Sequence, residues 1–162
     1  MPTPHQFETR FWKALESDAT VMLGIDGVAN AHMQPMLARL DGHHGPIWFF
    51  TSKNSALLDE LDPDARATAA FISKAHDIFA ILRGRLSIDT NRTRLDKLWN
   101  RSVAVWFERG KDDPKLRLLR LDADKAEIWL DGSNVTRVKM LLRMGSSRFS
   151  RTPNSDRAES PG

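Results

Sequence analysis

Residues 47–61 read IWFFTSKNSALLDEL, and the fold turns on how the middle of this stretch is taken. Ile47, Trp48, Phe49 and Phe50 have the β-branched and aromatic character of a strand. Residues 55–61 then read as a short apolar helix. Between the two lie Thr51-Ser52-Lys53-Asn54-Ser55, a dense run of hydroxyls, an amide and a cation. One reading is a plain turn with Ser55 as helix N-cap, which is the default because capping residues are common. The other is an anion site. Free N–H groups at a helix start favour a phosphate, the hydroxyls of Thr51, Ser52 and Ser55 add hydrogen bonds, and Lys53 adds a point charge.

Outward from that segment, the pattern is mostly strand. Residues 19–25 precede an Asp26-Gly27 turn signal, and residues 31–40 form a second strand in which Pro35 demands an edge or a bulge. DGHHGP at residues 41–46 reads as a hairpin loop into the Trp48 strand. Beyond the Pro63 break, residues 66–73 and 78–88 are further strands. In the latter, Ile78, Ala80, Leu82, Gly84, Leu86 and Ile88 alternate with Arg83, Arg85, Ser87 and Asp89. Residues 116–121 and 126–130 read as a closing pair.

Helical periodicity appears in three places. Thr3, Pro4 and Gln6 suit a capping box ahead of Phe7, Phe11 and Leu15, predicting a helix to about Ser17. Thr90 is a candidate cap for a helix bearing Leu95, Leu98 and Trp99. Residues 135–144 read as a final amphipathic helix, and residues 145–162 as a disordered, Ser/Pro/Arg-rich tail after a folded domain of residues 1–144. Strands and helices do not alternate regularly, which argues against a doubly wound parallel sheet. The expected class is α+β, mainly β with helices, built as a small antiparallel barrel.

Composition narrows the function classes. A chain of 162 residues with 41% hydrophobic content can bury one ordinary core without staples. It has no cysteine, so thiolate catalysis, disulfides and cysteine-based zinc sites are excluded. No apolar run approaches the roughly 20 residues that span a bilayer. The opening MPTPHQFETRFW lacks the pattern of a signal peptide, so the expected location is the cytoplasm. The net charge of +3 is spread along the chain rather than gathered on one stretch, which argues against nucleic acid as a partner.

Other chemistry-bearing residues are weaker signals. His43-His44 suggests a metal pair, but adjacent histidines in a Gly-flanked loop read more simply as solvated, and no metal site is expected. His76-Asp77 could touch a ligand or form a turn. Trp99 and Trp106 are seven apart and suit one face of a helix, in the core or at a subunit interface. Asp112-Asp113-Pro114 has the look of an acid pair, yet carboxylates before a proline are usually turn formers. No catalytic residue is assigned.

Five segments in order resemble the general stress protein 26 family, a branch of the pyridoxamine 5'-phosphate oxidase-like FMN-binding split barrels. They are AHMQPM (31–36), IWFFTSKNS (47–55), AHDIFAILRGRL (75–86), LWNRSVAVWFERGKDDPKLRLLRL (98–121) and AEIWL (126–130), spanning about residues 7–144. The resemblance implies a split barrel that binds FMN, with FAD as the alternative, in a groove between the two subunits of a homodimer. It implies that His32, Met33, Gln34, Pro35 and Met36 run along the isoalloxazine ring. Thr51, Ser52, Lys53 and Ser55 would surround the phosphate, Phe50 would also belong to the cofactor site, and Trp106 and Phe107, with the loop bearing Lys111, would cover the flavin. Two departures stand out. Gln34 falls where many relatives carry an arginine, and Ala56 and Leu57 replace the basic residues that follow the serine in relatives that oxidise pyridoxamine phosphate. The implied function is an FMN-binding general-stress-type flavoprotein, an oxidoreductase of unknown small-molecule substrate but not a pyridoxamine-phosphate oxidase. The alternatives are a non-catalytic flavin binder or sensor, and a cofactor-less barrel acting as a binding module.

Overall fold

Alternation of buried and exposed side chains builds the strands, and one glycine lets them close. The computed structural model describes residues 4–28, 33–42, 45–130, 136–143 and 146–150. The strands are β1 (Thr20–Ile25), β2 (Gln34–Leu40), β3 (Ile47–Ser52), β4 (Arg66–Ile72), β5 (Ile78–Ile88), β6 (Leu116–Leu130), β7 (Thr136–Arg143) and β8 (Ser146–Ser150). Their order is β3-β2-β1-β4-β5-β6-β7-β8, every neighbour is antiparallel, and β3 also pairs with β6. That extra pairing closes the first six strands into a barrel. The fold is therefore the expected antiparallel split barrel with a few helices.

The split lies in β6. Its first half, Leu116 to Leu121, pairs with β3, its second half, Ala126 to Leu130, pairs with β7, and β5 runs beside both. The change of neighbour coincides with a register shift, where Arg83 faces Lys125 but Gly84 faces Ala123. Such a bulge adds local twist, which lets one strand serve two sheets. A side chain at Gly84 would overlap the Asp122 carbonyl and the Ala123 Cα, so the close approach requires glycine.

The core joins helix to barrel. In α1 (Pro4–Ser17), Phe11, Trp12 and Leu15 are fully buried against inward residues such as Leu23, Phe49, Phe71 and Leu82. The Phe11 ring meets Trp12 at 4.8 Å and Phe71 at 6.1 Å, both edge-on. Each such buried side chain contributes about 1.5–3 kcal/mol. The short α2 (Ala56–Asp59) is capped by Ser55, whose hydroxyl accepts from Leu57 N, and it buries Leu57. Two more short helices, α3 (Arg92–Leu98) and α4 (Arg101–Ala104), lie between β5 and β6.

Several expectations are corrected. Residues 116–121 and 126–130 belong to one fifteen-residue strand rather than a pair, because β5 continues past the polar Asp122–Lys125 stretch and holds it extended. The helix expected over residues 135–144 is β7, since its apolar pattern also fits a strand and the free edge of β6 offers a partner. β8 lies inside the segment expected as tail, pairing back on β7, while residues 151–162 fall outside the described residues. The cap of α3 is Asn91, which accepts from Arg94 N at 3.0 Å, and not Thr90. Trp99 then ends α3 and Asn100 starts α4, so Trp99 and Trp106 do not share a helix. Pro35 behaves as expected. It sits where β2 has β1 as its paired neighbour, before the pairing with β3 begins at Ala38.

Candidate functional site

The outer face of the barrel at β2 and β3 would be a bare apolar surface if α3 and α4 did not lie over it. Alternation sends Ile47, Phe49 and Thr51 to one side of β3 and Trp48, Phe50 and Ser52 to the other. Outside, Phe50 and Leu37 pack with Leu95, Trp99, Val103, Phe107 and Leu116. Trp99 stands edge-on to Phe50 at 5.6 Å and tilted to Phe107 at 6.2 Å. Asn100 fixes α4 by accepting from Val103 N at 2.9 Å.

A cavity of about 620 Å³ remains between this cluster and the ends of β2 and β3. Pro35, Met36 and Leu37 form one wall, Phe50, Thr51 and Ser52 a second, and Ser102, Val103, Trp106 and Phe107 a third, with Thr20 beside them. No charged side chain is among these residues. The hydroxyls carry the polarity. Thr51 is only 9% exposed, and its hydroxyl has no hydrogen-bond partner among the described residues. Ser52 Oγ accepts from Asn54 N at 3.1 Å, which leaves its own proton to donate. Such a space suits a flat, mostly apolar molecule with acceptor oxygens at the end next to Thr51 and Ser52.

An ion-paired staple holds the cover in place. Asp89, just past β5, accepts from Trp48 Nε1 and Arg94 Nη1, both at 2.9 Å on Oδ2, and from Asn91 N at 2.9 Å on Oδ1. The Arg94 guanidinium lies 5.2 Å from the Trp48 ring centroid. Burial by itself would raise the Asp89 carboxyl, but the Asn91, Arg94 and Trp48 hydrogen bonds and the Arg94 charge outweigh it and hold it below the usual carboxylate range. At the other end of α3, Arg39 Nε donates to the Leu98 carbonyl at 2.9 Å.

Of the residues singled out in the sequence, Pro35, Met36, Phe50, Thr51, Ser52, Trp106 and Phe107 meet at this cavity. The others among the described residues do not line it. Gln34 starts β2 opposite Leu23, and Met33, 43% exposed, lies against Gly24. Lys53 is exposed on the turn, its N–H donating to the Lys115 carbonyl at 2.7 Å. Ser55 is occupied as the cap of a helix of only four residues. Lys111 reaches Asp96 at 3.5 Å, within a cluster where Arg92 also bridges Asp96 and Asp112. His32, like His43 and His44, lies outside the described residues.

The weaker candidates resolve as structure. His76 holds a positive φ of 61° in the turn between β4 and β5, its N–H bonded to the Ser73 carbonyl. Asp113 forms a turn, and the N–H of Lys115 is the main reason its carboxyl is held low. Sequence reasoning missed Thr20, Leu37, Ser102 and Val103. Leu37 follows from alternation, since it shares the outer face with Pro35. Nothing in the pattern marks the other three.

The family described as pyridoxamine 5'-phosphate oxidase like matches residues 6–152. The chain belongs to that family, and its similar structures include several of the general stress protein branch. It is 56% identical to a general stress family protein from Xanthomonas campestris pv. campestris, covering 83% of this chain and 93% of that one, at a TM-score of 0.76. It is 53% identical to the general stress FMN/FAD binding protein of Xanthomonas citri, covering 80% and 92%, at a TM-score of 0.75. A general stress protein 26 from Jannaschia sp. is 30% identical over 76% of this chain and 78% of that one, at a TM-score of 0.68. No curated protein matches the chain. Among the described residues no helix is long and apolar enough to cross a membrane.

Proposed function

We propose that the protein is a cytoplasmic flavoprotein of the general stress type that binds FMN in the cavity between β2, β3 and α4, with FAD as the alternative. The observation that carries this reading is the apolar, aromatic-walled cavity ending on a buried Thr51 hydroxyl with no partner among the described residues, in a chain 53% identical to an FMN/FAD binding protein. A buried hydroxyl left unpaired costs about 1–3 kcal/mol, so a ligand oxygen there would recover it. Met36, Leu37 and Phe50 would pack on the ring, Thr51 and Ser52 would donate to the phosphate end, and Trp106 would cover the mouth. Bound flavin would supply two-electron redox chemistry.

The reading includes a homodimer. Trp106, at the cavity, and its neighbour Val105 are 78% and 79% exposed, a placement that favours a second copy covering them. It also favours an oxidoreductase of a small, uncharged substrate over a phosphate-bearing one, because the cavity walls offer no cation to a second dianion. The purified protein tests the reading directly. A yellow protein releasing FMN, or a colourless one that takes up added FMN in stoichiometric amount, is expected. A preparation that binds neither FMN nor FAD would end it. Bleaching by NADH or NADPH, with reoxidation by an added acceptor, separates an oxidoreductase from a flavin binder without turnover.

A further inference from the structure

The phosphate end of the cavity raises a charge question that the residues around Ser55 do not answer. Ala56 and Leu57 are apolar, and Lys53 is exposed. A dianion taken out of water needs a cation within reach. The strand register supplies one. β3 runs antiparallel to the first half of β6, and Thr51 stands directly opposite Arg117. Residues paired in this way have Cβ atoms about 4.5–5.5 Å apart on the same face. Arg117 follows the alternation of Leu119 and Leu121, whose side chains enter the barrel core, so it is the last member of that row at the barrel's end.

Its hydrogen bonding is one-sided. Nη1 of Arg117 donates to the Pro114 carbonyl at 3.0 Å and to its neighbour Leu116's carbonyl at 2.8 Å. Guanidinium has five N–H donors, and the three on Nε and Nη2 have no partner among the described residues. No carboxylate lies within ion-pair distance of Arg117 there, whereas Arg66, Arg92, Arg94 and Arg120 each have one. A half-buried arginine held by two carbonyls, with its fork unspent, thus stands opposite Thr51 in the strand register, beside a buried hydroxyl that also lacks a partner among those residues.

We infer that Arg117 is the cation that binds the flavin phosphate, reaching across from β6 to the oxygens that Thr51 and Ser52 contact. The inference rests on the flavin reading above, and it assigns the phosphate charge to the strand opposite Thr51 instead of to the residues that follow it. The two carbonyl contacts orient the guanidinium, and its Nε and Nη2 edge is the face that suits bidentate contact with phosphate oxygens.

Titration of flavin-free protein with FMN and with riboflavin, which lacks the phosphate, tests this. The Arg117→Gln variant should bind FMN about 10-fold to 100-fold more weakly, the range of a lost charge-assisted contact, and riboflavin within about twofold of the parent. Arg117→Lys should recover part of the FMN affinity and leave riboflavin unchanged. Equal losses for both ligands would mean that Arg117 only shapes the fold, and an unchanged FMN-to-riboflavin ratio would mean that the phosphate sits elsewhere. Either result overturns the inference while leaving the flavin reading intact. Parent protein that binds neither ligand overturns both.

Discussion

Replacing Asp89 by alanine should loosen the cover of the cavity, and the cost follows from the hydrogen bonds that the carboxylate accepts. Trp48 is 3% exposed, so its indole N–H would be left unpaired in the interior, at about 1–3 kcal/mol. The Arg94 side chain is 30% exposed and recovers much of its loss from water, so its ion pair adds only about 1 kcal/mol. The Asn91 N–H lies in an exposed hydrogen bond and adds little. The sum is about 2–4 kcal/mol, toward the lower end of the cost of breaking a buried pair. Urea unfolding should show a lower midpoint with an unchanged slope. Asp89→Asn retains the shape and one acceptor oxygen and should cost roughly half as much.

The pH dependence carries a sign. Asp89 titrates below its unfolded value of about 4, so its contribution is fully present above that pH and is lost as pH falls through the folded value. The stability gap between the parent and Asp89→Asn should therefore close on acidification below about pH 4 and stay constant from neutrality down to that point. An Asp89→Ala midpoint within about 0.5 kcal/mol of the parent, the ordinary spread for surface changes, would refute the staple.

Other substitutions separate fold from site. Gly84→Ala places a methyl on the Asp122 carbonyl and should destabilise by about 3 kcal/mol or prevent soluble expression, measured by thermal unfolding. Phe107→Ala empties a buried position behind the cavity and should cost about 3–5 kcal/mol, with loss of flavin uptake in titration. Trp106→Ala removes an exposed side chain and should leave the unfolding midpoint within about 0.5 kcal/mol while weakening both flavin binding and self-association by light scattering. Incubating FMN-loaded protein with pyridoxamine phosphate in air should yield no aldehyde product above background, and turnover near about 1 s⁻¹ would contradict the uncharged cavity walls.

The barrel is legible in the sequence where local and long-range signals agree. In β5, the alternation of Ile78, Ala80, Leu82 and Leu86 carries through to burial, and fails only at Ile88, which is 46% exposed at the strand end. The elements misread from sequence are those decided by a neighbour. Asp122-Ala123-Asp124-Lys125 has the polarity of a turn, yet β5 lies alongside and Arg66 reaches across to Asp124 at 2.7 Å. TRVKMLLR can place its apolar residues on a helix face or a strand face, and only the unpaired half of β6 makes the strand better. Periodicity reads one element at a time, whereas these two stretches owe their form to the strand beside them.

The candidate site is legible in part for the same reason. The family resemblance brings out Pro35, Met36 and Phe50, while Thr51 and Ser52 also follow from the course of β3 itself. Lys53, Ser55 and Lys111 lie off the cavity, polar residues whose roles depend on what lies across from them. Ser55 is spent on its own helix, and Lys111 on Asp96. The segment around Thr51 shows the limit most clearly. Thr51 and Ser52 announce a polar end to a greasy strand, but Arg117, which faces Thr51, lies far along the chain, and only the β3–β6 register brings it there. A charge that must meet a phosphate need not lie near the hydroxyls in sequence; in a closed barrel, the strand opposite is as close as the next residue.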